Sequence, residues 1–138
     1  MQNAVANDVM VFAAAGNEGQ FGNPPEYPGA DPDAIAVASV TSALGHSSFS
    51  TAGSYVDIAA PGSDIWSTYP TSSYASLSET SMATPYAAAT GALIRSRYPS
   101  WSAAQARQRL LDTATDLGPT GPDDEYGYGF IDPIAATG

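Results

Sequence analysis

The sequence predicts an α/β fold in which a mostly parallel β-sheet is flanked by helices in three layers. Three short segments that resemble strands, the continuous apolar run 9–14 and the largely apolar residues 34–40 and 55–60, are separated by a loop rich in proline and glycine and by one rich in serine. Continuous apolar runs of this length are typical of parallel strands buried on both faces. A fourth stretch, residues 77–94, changes abruptly from polar to small apolar residues, which indicates a helix that enters the interior.

The size and composition of the chain limit the class of protein. Its 138 residues form one domain at most, residues 1–138, and are enough to bury a core. No cysteine is present, which excludes disulfides and metal–thiolate sites. There is no run of about 18 apolar residues to indicate a transmembrane helix, so we expect no membrane partner. The first residues also lack the basic and apolar regions of a signal peptide.

The charge balance is strongly acidic. The 14 acidic and 4 basic residues give a formal net charge of −10, and all four basic residues are arginines. Nucleic acid is therefore not an expected partner, because binding to phosphates needs a basic surface that releases counterions. We interpret the acidic surface as a solvated one.

The remaining elements follow from local patterns. Residues 63–77 alternate weakly between apolar and polar side chains and predict a hairpin that leads into the helix. Ser100 or Ser102 can cap a second helix over residues 103–114, in which apolar residues recur at helical spacing. Residues 126–136 are expected to pack back against the core.

Ser81 lies where the polar loop enters the predicted central helix. Thr80 or Ser81 can cap the helix, and Pro85 is expected to lie within its first turn. The alanine-rich residues 86–94 have small side chains on every face, which predicts a helix that is buried all round. A hydroxyl at this position lies at the positive end of the helix dipole and suits a nucleophile. The local pattern alone favours a simple N-cap.

Asn17 follows the first apolar run, in the turn Gly16-Asn17-Glu18-Gly19. In open α/β sheets, functional sites cluster at the carboxyl ends of strands. An asparagine amide at such a place can donate a hydrogen bond to an oxyanion. The alternative is an ordinary turn residue that tolerates left-handed backbone.

Several segments resemble the motifs of subtilisin-like serine proteases. Residues 80–85, Thr-Ser-Met-Ala-Thr-Pro, resemble the nucleophile motif, and residues 13–19, Ala-Ala-Ala-Gly-Asn-Glu-Gly, resemble the segment with the oxyanion-hole asparagine. Residues 126–132 resemble the C-terminal signature, and residues 27–29 and 57–62 fall in the same order. Several motifs in one order are far more specific than one alone. The resemblance covers nearly the whole chain, but only the C-terminal half of a family domain.

The resemblance implies a serine endopeptidase in which Ser81 is the nucleophile and Asn17 stabilises the oxyanion. The positions that match the substrate-binding segments of the family are Ala14, Ala15, Gly16 and Glu26. An acidic side chain at the last of these positions favours a basic side chain in the substrate, or simply narrows the pocket.

The resemblance also implies a weak site for a hard cation, Ca²⁺ or Na⁺. The matching ligands are the backbone carbonyls of Gly29, Asp31 and Ala34 and the side chain of Asp57. Carbonyl and carboxylate oxygens suit such a cation. The alternative is a surface loop with an exposed carboxylate.

Two catalytic parts of the family have no match in the chain. The aspartate and histidine motifs precede the serine in the family, so we expect a C-terminal portion without a complete triad. His46 is the only histidine, and we interpret it as a solvated loop residue rather than the base of Ser81. Two departures from the motif count against normal catalysis: Glu79 stands where the family has a glycine, and Tyr86 where a histidine commonly follows the proline.

The expected partners follow from this incompleteness. Half of a parallel sheet has unpaired edges and uncovered apolar faces, which predicts a homo-oligomer or a complementing N-terminal half. The family implies peptide or protein substrates and a secreted location. The alternative function is a catalytically inactive self-associating or binding module, and residual esterase-type activity is a further option.

Overall fold

A computed structural model describes all 138 residues and confirms the three predicted parallel strands. The strands β1 (Phe12–Ala14), β2 (Ile35–Val40) and β3 (Ile58–Pro61) form one sheet in that order. The register pairs Ala13 with Ala36 and, on the other side of β2, Ala38 with Ala59. Strand β2 is buried along its whole length, including Ser39, as its largely apolar sequence predicts.

The other elements surround this sheet. A short helix α1 (Gln2–Ala6) precedes β1, and the predicted hairpin is formed by the antiparallel strands β4 (Ile65–Tyr69) and β5 (Ser73–Leu77). Three further helices follow, namely α2 (Thr80–Arg97), α3 (Ala103–Asp112) and α4 (Pro133–Thr137). None of the helices combines the length and the apolar character that a membrane span needs.

The elements pack in three layers. Helix α2 lies across all three parallel strands, and α3 and α4 pack against α2. On this face Val37 and Ile58 of the sheet meet Ile94 of α2 and Leu110 of α3. The opposite face is covered by loop segments rather than helices, with Tyr126 buried against the sheet. The α/β fold with three layers is confirmed.

Helix α2 begins earlier than the sequence pattern indicates. Its N-cap is Glu79, whose side chain makes no capping hydrogen bond, so the prediction of a cap at Thr80 or Ser81 is wrong. Pro85 lies inside the helix, beyond the first turn. The helix tolerates it because proline removes only the donor to the carbonyl of Ser81, which lies at an exposed helix start that water can reach.

Burial of α2 is confined to one stripe. The buried positions are Thr80, Ala83, Ala87, Thr90, Gly91 and Ile94. Tyr86 and Leu93 on the other side are 44% and 52% exposed. The prediction of burial on every face is wrong for this chain, because the sheet, α3 and α4 supply packing partners along one side only.

The C-terminal region is anchored as predicted. Ser102 caps α3 in a reciprocal capping box with Gln105, which removes the choice between Ser100 and Ser102. The chain then returns to the sheet, where Phe130 exchanges two backbone hydrogen bonds of 2.8 Å with Thr115. The neighbouring Ile131 donates to the carbonyl of Ala59 in β3, so this segment covers the edge of the sheet.

Candidate active site

Ser81 is the second residue of α2 and is exposed to solvent. The first backbone N–H groups of a helix have no partner within the helix and carry partial positive charge. No group of the chain is hydrogen-bonded to the Ser81 hydroxyl, whereas the flanking Thr80 is fully buried and bonded. The hydroxyl is therefore free and accessible at the positive end of a long helix.

Asn17 is joined directly to the residue before Ser81. Its side-chain oxygen Oδ1 accepts a hydrogen bond from the backbone N–H of Thr80 at 2.9 Å and another from the Thr80 hydroxyl at 3.0 Å. The backbone N–H of Gly16 in turn donates to that hydroxyl at 3.3 Å. These bonds connect the loop after β1 to the first turn of α2.

The same bonds fix the direction of the Asn17 carboxamide. Because both donors of Thr80 bind Oδ1, the amide nitrogen Nδ2 is on the other side of the carboxamide group. Nδ2 donates no hydrogen bond within the chain, and Asn17 is half-buried. A donor of fixed direction is thus available near the start of α2.

Glu79 fits its position without strain. Its backbone is extended, with φ of −160° and ψ of 163°, a conformation that any residue adopts. The backbone freedom of a glycine is therefore not needed at this position. The Glu79 N–H donates to the carbonyl of Gly62, where a Cβ atom would lie 2.8 Å from the Glu79 carbonyl oxygen. The difference from the family's glycine is then only the exposed carboxylate of Glu79, two residues before Ser81.

Glu26 lies against the backbone next to Asn17. A Cβ atom built on Gly16 would be only 2.0 Å from Oε1 of Glu26, and Gly16 has a φ of 121°. The same Oε1 accepts a hydrogen bond of 2.9 Å from the Thr51 hydroxyl, which itself accepts one of 2.8 Å from the backbone N–H of Glu18. Two of the predicted substrate-binding positions, Gly16 and Glu26, are therefore in contact.

The other two predicted positions are less accessible. Ala14 is half-buried, and Ala15 is completely buried. The carbonyl of Ala15 accepts a hydrogen bond of 2.7 Å from the Tyr55 hydroxyl. Burial raises the pKa of Tyr55, and the negative charge of Glu26 acts in the same direction.

His46 is not a solvated loop residue, and that prediction is wrong. Its ring is half-buried and packs edge-on against Tyr126, with ring centroids 5.8 Å apart. Nε2 is buried without a hydrogen-bond partner, and the Tyr126 ring beside it belongs to the core cluster on the face of the sheet opposite the helices. Burial lowers the pKa of His46, while the charges of Glu125 and Asp123 oppose this shift. No hydrogen bond joins His46 to Ser81.

Two of the four predicted cation ligands, the Asp57 side chain and the Asp31 carbonyl, already have protein partners. Oδ1 of Asp57 accepts a hydrogen bond from Arg107 at 2.8 Å, and Oδ2 accepts one from the backbone N–H of Ala36 at 2.8 Å. The carbonyl of Asp31 accepts from the N–H of Ala34. A cation bound to Asp57 would have to share the carboxylate with the guanidinium of Arg107, which lowers the attraction. The cation site stays a prediction.

Comparison with known proteins places the chain in a family. A family model described as the Subtilase family matches residues 1–129. The chain is 46% identical over 138 residues to subtilisin from Bacillus pumilus, covering 99% of this chain and 49% of that protein. It is also 46% identical to subtilisin E from Bacillus subtilis (strain 168), of which it covers 35%, and 43% identical over 137 residues to subtilisin Savinase from Lederbergia lenta, of which it covers 49%.

The chain belongs to the subtilase family of subtilisin-like serine proteases, as the motifs predicted. It spans half or less of the length of these relatives, 49% of the first and 35% of the second. The hydrogen bonds of Thr80, Thr51 and Tyr55 around the site could not be found from the sequence, because no local pattern signals contacts between residues 25 to 64 positions apart.

The pKa of His46 leads to a prediction about acid stability. Because burial lowers the pKa in the folded chain, the unfolded state binds the proton more tightly, and stability falls as pH drops from about 6.5 through the folded pKa. We expect the urea midpoint to fall between about pH 7.5 and about pH 5, and the His46→Gln variant to lose most of this slope. Equal slopes in the two proteins would contradict the prediction.

Proposed function

We propose that the chain supplies the nucleophile and the oxyanion donor of a secreted serine endopeptidase that cleaves peptide bonds in proteins. The observation that supports this role is the arrangement of Asn17, Thr80 and Ser81. The free hydroxyl of Ser81 follows directly on the residue that orients the Asn17 carboxamide. Family membership supports the same reaction class.

The proposed reaction is acyl transfer. Oγ of Ser81 attacks the carbonyl carbon of the scissile bond, and the carbonyl oxygen becomes negatively charged. Nδ2 of Asn17 donates a hydrogen bond to this oxyanion, an interaction that is worth about 3–4 kcal/mol when the donor is preorganised. The leaving amine takes up a proton, and water then hydrolyses the acyl-enzyme.

A base must accept the proton of Ser81 during the attack. The only imidazole of the chain, that of His46, is held against Tyr126 and makes no hydrogen bond to Ser81. We therefore propose that the base and its orienting carboxylate come from a complementing N-terminal half. Alone, the chain would then show at most a residual esterase-type activity on activated esters.

A fluorophosphonate probe tests the proposed nucleophile. In the chain alone we expect slow formation of a covalent adduct at Ser81, at the residual rate of a serine that lacks its base. The adduct should be absent from Ser81→Ala and unchanged in Ser96→Ala, an exposed serine of the same helix. Asn17→Asp keeps the oxygen that binds Thr80 but removes the N–H donors, so labelling should slow by about 100-fold or more. Peptide mapping by mass spectrometry identifies the adduct; labelling of other serines only, or an unchanged rate in Asn17→Asp, would refute this role.

A second candidate function, a self-associating or binding module, has its own support. Strand β1 is hydrogen-bonded to β2 on one side only, and its other edge is open. A groove of about 340 Å³ lies between the hairpin and α2, and its lining includes Trp66, Met82 and Tyr86. Trp66 is 73% exposed. Open edges and apolar grooves of this kind favour association with another polypeptide.

Self-association can be measured by light scattering at micromolar concentration. We expect a mass above that of the monomer, and we expect Leu93→Glu on the exposed side of α2 to shift it toward the monomer. Leu44→Glu is the matched control, because Leu44 is 42% exposed and lies in a loop away from α2. A monomeric mass for the unchanged protein would refute self-association.

We also keep the cation as a proposal, with Asp57 and the carbonyls of Gly29, Asp31 and Ala34 as ligands. Millimolar calcium chloride should raise the midpoint of thermal unfolding. The rise should be larger in Arg107→Gln, in which the Asp57 carboxylate no longer binds a guanidinium group. Arg97→Gln is the control, because Arg97 forms no ion pair. No response to calcium in either variant would contradict the proposal.

A further inference from the structure

One face of the hairpin carries two highly exposed aromatic side chains. Trp66 of β4 is 73% exposed, and Tyr74 of β5 is 71% exposed. The register pairs Trp66 with Ser76 and Thr68 with Tyr74, so all four side chains lie on the same face of the hairpin. The two rings are diagonal neighbours, a relation that places residues of adjacent strands about 7–8 Å apart. These four residues are named the aromatic face of the hairpin.

The polar groups of the aromatic face have no partner within the chain. The side-chain hydrogen bonds of the hairpin involve only the hydroxyls of Ser73 and Ser78. The indole N–H and the three hydroxyls of the aromatic face are therefore available to a ligand. Other tyrosine hydroxyls are bonded to the backbone, namely those of Tyr55, Tyr98 and Tyr126. Each ring of the aromatic face thus lies opposite a free hydroxyl group.

The hairpin also lacks charge. Residues 65–78 contain no acidic or basic side chain, although the whole chain has a net charge of −10. An anionic polymer would find no cation on this face and would be repelled by the chain as a whole. A cationic partner would be attracted to the carboxylates elsewhere on the surface. The charge distribution therefore favours an uncharged ligand for the aromatic face.

Two other occupants fit less well. A second copy of the chain brings its own net charge of −10, which opposes close approach. A purely apolar partner would cover the hydroxyls of Thr68 and Ser76 without bonding to them, and an unpaired polar group that is removed from water costs free energy. A suitable ligand therefore combines apolar faces with hydroxyl groups.

We propose that the aromatic face of the hairpin binds a neutral polysaccharide of β-linked glucose units. The ring substituents of such a unit are equatorial, so C–H groups form its two faces and hydroxyl groups form its edge. The C–H groups stack on the negative π faces of the indole and phenol rings. The edge hydroxyls then bond to Thr68 and Ser76, which replaces the hydrogen bonds that these groups lose from water. The site does not involve Ser81 and goes beyond the proposed function.

Isothermal titration calorimetry of the full chain with cellohexaose, a soluble β-linked glucose oligomer, tests the site. We expect saturable binding, with affinity reduced by about fivefold or more in Trp66→Ala and in Tyr74→Ala, because each variant lacks one stacking ring. Tyr74→Phe keeps the ring and should retain most of the affinity. Tyr128→Ala is the matched control, because Tyr128 is 42% exposed and lies outside the hairpin.

Each outcome decides the question. Affinity that falls in the two hairpin alanine variants and persists in Tyr128→Ala supports the site, and native amide NMR spectra of the variants exclude unfolding as the cause. Absence of saturable binding, or equal affinity in Trp66→Ala, overturns the proposal. So does a mass above that of the monomer that Trp66→Ala reverses without any binding of cellohexaose, because the face is then a contact between two copies. Ser81→Ala should bind cellohexaose unchanged, so failure of the proposed nucleophile leaves this site unaffected.

Discussion

The hydrogen bonds between Asn17 and Thr80 are the interaction on which the candidate site depends. Thr80 is fully buried, so water cannot replace a lost partner, and an unpaired buried group costs about 1–3 kcal/mol. These bonds hold the end of β1 against the start of α2. They also occupy Oδ1 of the Asn17 carboxamide and leave Nδ2 free. A residue that lies in a turn thereby becomes a hydrogen-bond donor of fixed direction.

The acidic composition explains why Glu26 has no positive partner. All four arginines lie in the last turn of α2 or in α3, and each is used there. Arg95 and Arg107 form ion pairs, Arg97 lies over the ring of Tyr98, and Arg109 donates to carbonyls of the C-terminal residues. With no lysine in the chain, no cation remains for the carboxylates near Ser81. The negative charge of Glu26 is therefore not paired with a cation within the chain.

The sequence predicted what depends on short-range patterns. Short, largely apolar segments located the parallel strands, and a capping serine followed by apolar residues at helical spacing located α3. The burial of α2 was mispredicted because small residues are compatible with close packing but do not show that a neighbour is present. His46 was mispredicted for a related reason: its burial comes from Tyr126, 80 residues later in the chain. The motifs of the candidate site were found through the family resemblance. The hydrogen bonds between them became known only from the three-dimensional structure.

The two candidate functions are physically coupled at α2. The groove beside the hairpin is lined by Met82, the residue after Ser81, and continues past Pro85 to Tyr86. A polypeptide that covers this apolar groove therefore contacts the residue that follows Ser81 in the helix. Ser81 itself is exposed to solvent, and the preceding residue Thr80 connects it to Asn17. If the complementing half proposed above covers this groove, it would carry its base toward the serine from that side, and both candidate functions would use the same surface of α2.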